Sequence, residues 1–260
     1  MVKASDIYKY MCELAPMELK MDFDNPGFLV GDKKQEISKC LVSLDITSDV
    51  IKEAAEKGCG LIVSHHPVIW YEMKSLCTDD MQAKRVMELV RNGISAICMH
   101  TNLDIANGGV NDVLSDRLEL ENRDVFIASE GFENTGLGRI GEYEKEYDIA
   151  DFLELVKAAL GARCIEYYAC RNVKKVALVG GSAAEFICDA FNAGADTYIT
   201  SDIKYHDFQL AKELGINLID AGHFNTENPV VFTLYKKLSD KFPDVEFYVS
   251  ESNSSVTSFY

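Results

Sequence analysis

The chain has 260 residues, 47% hydrophobic and 26% charged, with 42 acidic against 26 basic side chains and a formal charge of −16. That length suits one large domain or two small ones around a sizeable core, and an acidic balance with no basic cluster argues against sequence-independent nucleic-acid binding because it repels phosphate. No apolar run approaches the roughly 18 residues of a membrane span and the N-terminus lacks a signal-peptide apolar block, so a soluble cytoplasmic protein is expected.

In chain order, Ser5 is expected to cap a first helix running to about Ala15. A turn-rich loop follows from Asp22 to Asp32, bent at Asn25-Pro26-Gly27. From Cys40 onward strand and helix alternate. The strand is LVSLDI at 41–46, and the helix is capped by Thr47 or Ser48 and runs to Lys57. The strand LIVS at 61–64 precedes a helix from about Asp79 to Asn92, closed by Gly93. The strand ISAICM at 94–99 leads through Gly108-Gly109 to a short helix ending near Leu118. This spacing implies right-handed crossovers and a largely parallel sheet.

The middle differs. Residues 136–148 read as exposed strand and turn, after which Asp148 caps a helix to about Leu160. Residues 174–202 then repeat the strand, turn, helix, Gly, strand pattern of residues 41–66, which suggests a pseudo-twofold relation. A helix from Ile203 to Leu214, the strand INLID, a helix opened by Pro229 with Asn228 as cap, and a final strand VEFYV complete the chain.

Chemistry-bearing residues collect just past the strands. His65-His66 ends the first long strand and Pro67 stops it, so both imidazoles can turn to one centre. His100 and Asp104 follow the next strand, and Asp220, His223 and Glu227 end a third. Sites in open α/β sheets form beyond the carboxyl ends of strands. Several imidazoles with two carboxylates exceed the needs of one tetrahedral ion and suit two divalent cations sharing a carboxylate. That mixture fits Zn, Mn, Fe or Co better than Ca, and such ions would also let an anionic substrate approach an acidic protein.

His100 is open between a third imidazole ligand, a group behind the ligands, a proton-transfer group and an ordinary strand-end histidine. Asp45 reads as a cap beside Thr47 and Ser48, while Asp220 and His206 read as structural. His223 and Glu227 would share a face of a helix, but Pro229 favours a loop there. Gly180-Gly181-Ser182 reads as a packing turn more readily than as a phosphate nest. Cys40, Cys59, Cys98 and Cys188 read as core hydrophobes in a chain without disulfides. Lys204, Arg139 and Lys174 stand near glycine turns as the candidate triphosphate contacts.

In this order, DNPGFLVGD, SHHPVIW, MHTNLD with GGVND, GLGRIG, VALVGGS, TSDIKYHD and LIDAGHFNTE resemble the Nif-three-like family, often described as GTP cyclohydrolase I type II, in its short form. The resemblance implies an α/β fold of two similar interlinked lobes with mixed, largely parallel sheets and a metal site between them. Residues 1–124 joined by 220–260 would form one lobe and 125–219 the other. It further implies a toroidal homohexamer, two divalent ions per subunit held by His65, His66, Asp104, His223 and Glu227 with His100 close by, and hydrolysis of GTP to dihydroneopterin triphosphate and formate.

Overall fold

The computed structural model describes residues 1–258 and divides into two compact units. The first comprises Met1–Ala106 and Val231–Ser254, and the second is built on Asn107–Val230.

The first unit opens with α1 (Ala4–Leu14), which buries Ala4, Ile7 and Met11 along one face. It begins one residue before the expected cap Ser5, with Lys3 in the cap position. Strand β1 (Gly27–Val30) follows the turn-rich loop, and β2 (Lys39–Ser43) ends earlier than the sequence pattern suggested. Helix α2 (Ser48–Lys57) starts where the Thr47 side chain accepts the Val50 N–H and stops at Gly58, whose φ of 70° suits a residue without Cβ. Strand β3 (Leu61–Ser64) is buried at every residue. Helix α3 (Met81–Arg91) is capped by Asp80 onto Ala83 N–H, β4 (Ser95–Cys98) is again fully buried, and α4 (Thr101–Ile105) is a single short turn of helix.

In the second unit α5 (Val110–Arg117) precedes β5 (Asp124–Ala128) and the long β6 (Gly136–Tyr147). Helix α6 (Ile149–Leu160) has its expected Asp148 cap, and β7 (Glu166–Tyr168) leads to β8 (Val173–Ser182). Then come α7 (Ile187–Asn192), β9 (Thr197–Ser201), α8 (Tyr205–Leu214), β10 (Asn217–Asp220) and α9 (His223–Glu227). Helix α10 (Pro229–Lys241) carries the chain back to the first unit, which β11 (Glu246–Val249) completes.

Both sheets are mixed. The first has the order β1-β4-β3-β2-β11, parallel except for β1. The second has the order β5-β6-β8-β9-β10-β7, with β8, β9 and β10 parallel and the others antiparallel to their neighbours. Buried central strands read as continuous apolar runs because both faces are covered. Ile62, Ala96 and Cys98 accordingly join Val50, Ile51, Val86 and Leu89 in the core of the first unit. In the second, Val176, Leu178, Ile199 and Ile219 join Phe152 and Val156 of α6. The repeated strand, helix, Gly, strand pattern is present in both units: β2 pairs parallel to β3 across α2, and β8 pairs parallel to β9 across α7.

The unit boundaries fall after Ala106 and Val230, where the sequence suggested 124 and 219, so α5 and the His223–Glu227 segment belong with the second sheet. None of the eight cysteines is in a disulfide, and Cys188, expected in a core, is exposed. Among the described residues no helix is long and apolar enough to cross a membrane.

Candidate metal centre

In the first unit the chemistry gathers at the carboxyl ends of three adjacent parallel strands. Beyond β2 lies Asp45, beyond β3 lie His65 and His66, and beyond β4 lies His100. The backbone stays paired just past the strands: His66 N–H donates to Leu44 O at 2.9 Å and Met99 N–H to Ser64 O at 2.9 Å. The Ser64 hydroxyl also donates to His66 O at 2.9 Å. This fixes both histidines in a stretch that is no longer strand. Their rings stand 4.9 Å apart, and the His100 ring is 5.1 Å from that of His65 and 5.6 Å from that of His66. One nitrogen from each of the three lies within 4.8 Å of the other two.

Each of these imidazoles has the same nitrogen committed. His65 Nδ1 lies 2.9 Å from Met99 O, His66 Nδ1 lies 2.8 Å from Asp45 Oδ1, and His100 Nδ1 lies 2.9 Å from Asp24 Oδ1. A carbonyl or carboxylate oxygen only accepts, so Nδ1 carries the proton and the neutral ring keeps its lone pair on Nε2. That is the arrangement found behind metal-ligating histidines, where an outer acceptor sets tautomer and ring orientation. Asp24 remains a carboxylate. Its burial pushes the pKa up, but hydrogen bonds from His100 and from the Thr101 hydroxyl and N–H outweigh this and hold it at about 2.

Asp104 completes this group. It is buried on α4, and its Oδ1 lies 3.6 Å from His65 Nε2. That separation is too long for a hydrogen bond. It is close to the roughly 3.4 Å between two ligands about 2.1 Å from one tetrahedral ion.

The second unit carries a matching pair on α9. His223 and Glu227 are one helical turn apart, with His223 Nε2 3.0 Å from Glu227 Oε2. The sequence favoured a loop here because a residue before proline avoids the helical region. Asn228 nevertheless takes φ −55° and ψ −29°, so α9 forms ahead of Pro229. His223 Nδ1 is held by Asp202 Oδ2 at 2.7 Å. Asp202 does so from φ 54°, a left-handed conformation that costs about 1–2 kcal/mol for a residue with a Cβ. Its Nδ1 proton committed, a neutral His223 would aim its Nε2 lone pair at a carboxylate oxygen. Only a second proton on the ring or a cation makes that contact attractive.

Glu227 itself is buried to 3% exposure, and Gly181 makes the room for it. A Cβ at Gly181 would stand 2.1 Å from Glu227 Oε1. The Gly181 N–H donates to Thr226 Oγ1 at 3.0 Å and the Gly180 N–H to Asn111 Oδ1 at 2.9 Å. Both amides are thus spent on packing, in keeping with the packing-turn reading and against a phosphate nest.

In each unit taken by itself the donors have the chemistry of metal ligands: imidazoles fixed through Nδ1 beside a buried carboxylate, with a glycine cut away beneath Glu227 in the second. Clustered imidazoles are poor candidates for holding charge by protonation alone, because like charges at this spacing oppose one another. Sequence reasoning missed Asp24 and Asp202, and it read Asp45, the partner of His66 Nδ1, as a cap. Asp220 has the structural role expected of it, accepting Gly222 N–H and Ile203 N–H at 2.9 Å each. His206 bonds locally, to Gln209 at 2.8 Å. Arg139 is buried on Asp112, its Nη2 2.7 Å from Asp112 Oδ2.

The family model of Duf34/NIF3 (NGG1p interacting factor 3) matches residues 2–255. The chain belongs to the Duf34/NIF3 family. Among curated relatives of this Duf34/NIF3 protein, the "GTP cyclohydrolase 1 type 2 homolog" of Clostridium perfringens is 38% identical over 253 residues, covering 96% of this chain and 97% of its own. The protein of the same description from Clostridium acetobutylicum is 32% identical, covering 91% and 90%. Among solved structures, a Staphylococcus aureus hypothetical protein superposes with a TM-score of 0.91 at 27% identity over 99% of both chains. A Bacillus cereus protein related to NIF3 gives a TM-score of 0.93 at 23% identity over 100% and 99%, a likeness of fold.

Proposed function

We propose that this Duf34/NIF3 protein is a dinuclear metal-dependent hydrolase of the GTP cyclohydrolase type, opening the imidazole ring of guanine in GTP with release of formate. The observation that carries the reading is the common use of Nδ1 as the anchored nitrogen in His65, His66, His100 and His223. With Nδ1 protonated, the lone pair of each neutral ring lies on Nε2, the nitrogen a metal ion would take. The description of the curated relatives as GTP cyclohydrolase homologues supports the substrate class.

In this reading His65, His66, Asp104, His223 and Glu227 would hold two divalent ions of Zn, Mn, Fe or Co. Bound ions of this kind supply a water acidified toward neutral pH and a Lewis acid for a substrate oxygen. The chain's own groups do the rest. Asp45 and Asp202 keep the His66 and His223 rings in register. His100, its Nδ1 proton fixed on Asp24, takes up a proton at Nε2 and returns it to the departing fragment. The Asp24 carboxylate stabilises the imidazolium formed in between. Assembly as a homohexamer belongs to the same proposal and would give six times the chain mass of 29.0 kDa in solution.

The test is formate release from millimolar GTP by protein loaded in turn with each metal, with a chelated control. Metal-dependent formate, reduced at least about 100-fold in His100→Ala at unchanged metal content, is expected. Phosphate release in place of formate would make the protein a nucleotide phosphohydrolase. No turnover with any metal would leave a metal-binding regulator.

A further inference from the structure

Trp70 is the chain's single tryptophan, and it is 53% exposed although indole is among the costliest side chains to leave in water. It stands in residues 65–80, which contain neither helix nor strand. Loop backbone is ordinarily left to solvent. Here the main chain around Trp70 is pinned from outside the loop. Asn25 Nδ2 donates to Ile69 O at 2.8 Å. The Gln82 amide, on a buried residue of α3, accepts from Trp70 N–H and Tyr71 N–H and donates to Tyr71 O. Three residues in succession are thus held while the indole between them is left uncovered.

The indole has one close ring neighbour of chemical interest. The His100 imidazole lies 5.1 Å away at 74°, edge to face, and its Nδ1 is locked on Asp24. Phe23, next to that aspartate in sequence, is 70% exposed. A fixed, half-exposed aromatic plane beside the histidine cluster is what a flat heteroaromatic ligand requires. Base–aromatic stacking tolerates any base because each has a π-face, and tryptophan supplies the largest surface for it.

We infer that Trp70 is the stacking residue for the nucleobase of the substrate, laying the ring beside His100. This rests on the nucleotide-hydrolase reading above, but concerns recognition of the base and is read without turnover. The donors supply no selection between a nucleotide and a base-free phosphate; the indole supplies it.

Because Trp70 is the sole tryptophan, its fluorescence in the metal-loaded full-length protein reports the contact directly. Guanosine 5′-monophosphate is expected to quench it saturably, and ribose 5-phosphate at equal concentration to leave it unchanged. By calorimetry, Trp70→Ala is expected to bind guanosine 5′-monophosphate about ten-fold more weakly, and Trp70→Phe, which keeps a stacking plane, within about three-fold of the parent. Metal content is expected to be equal in all three. Equal quenching by ribose 5-phosphate, or unaltered affinity in Trp70→Ala, overturns the inference. So does a change of assembly state in Trp70→Ala, which would assign the indole to a contact between copies of the chain. Saturable quenching by the monophosphate without turnover of GTP keeps the stacking role and removes the cyclohydrolase reading, and turnover without such quenching does the reverse.

Discussion

Replacing Gly181 by alanine separates the backbone of the second unit from its ligand geometry. Gly181 has φ +70°, where an L-residue costs about 1–2 kcal/mol. The added Cβ would lie 2.1 Å from Glu227 Oε1 and 3.1 Å from its Cδ. Ordinary contact between such atoms begins near 3.4 Å, so the carboxylate must withdraw by roughly 1 Å, a displacement that can cost a functional constellation about 100-fold. Gly161 provides the control: φ is +63°, yet its Cβ would meet nothing within 4 Å. In a denaturant melt of chelated protein, Gly181→Ala and Gly161→Ala are both expected to lose about 1–2 kcal/mol. In a metal titration by calorimetry, only Gly181→Ala is expected to lose affinity, by about 10- to 100-fold. A folded Gly181→Ala protein that binds metal as the parent does would refute the assignment of Glu227 as a ligand.

Asp202→Asn keeps a residue that tolerates the left-handed backbone but removes the charge behind His223; metal affinity is expected to drop about 10- to 100-fold with little change in stability, whereas equal affinity would show that Asp202 does not orient the ring. Glu53 tests a different part of the fold, where it accepts from Ser250 Oγ and from the Glu251 and Ser252 amides and pairs with Lys57 at 2.7 Å. Burial pushes its pKa up, but the hydrogen bonds from Lys57, Ser250 and the two amides prevail and hold it at about 2, against 4.5 for an ordinary glutamate. A depressed carboxyl stabilises above its unfolded value and loses that contribution as pH falls. Glu53→Gln is therefore expected to cost about 1.5–3 kcal/mol at neutral pH, with the gap from the parent closing between pH 4.5 and about 2 in urea titrations. A gap independent of pH would mean that the charge of Glu53 does not hold the chain end.

What the sequence disclosed depended on how local the signal was. The apolar runs at 61–64 and 94–98 announced buried parallel strands because both faces are covered, and the histidines just past them were legible as candidate ligands because they follow those strand ends. Asp104, His223 and Glu227 stood out as acid and imidazole neighbours at strand ends. The carboxylates behind the imidazoles did not. Asp45 follows β2, adjacent to β3 in the sheet but 21 residues from His66 in sequence, and its neighbours Thr47 and Ser48 made it read as a cap. Asp24 reaches His100 across 76 residues from a turn-rich loop. Asp202 acts through a backbone angle that no residue pattern announces. Helix α9 was hidden because Pro229 follows it, and Asn228 accepted a conformation that a residue before proline usually avoids. Cys188 shows the limit of reading burial from periodicity, since α7 is only six residues long and turns its face outward there.

The most direct test of the central claim is the metal content of purified protein after loading with Zn, Mn, Fe or Co and removal of unbound ion. About two ions per chain are expected for a dinuclear set, falling to one or none in His65→Ala and in Glu227→Gln. A folded protein that retains no ion under any of these conditions would contradict the account.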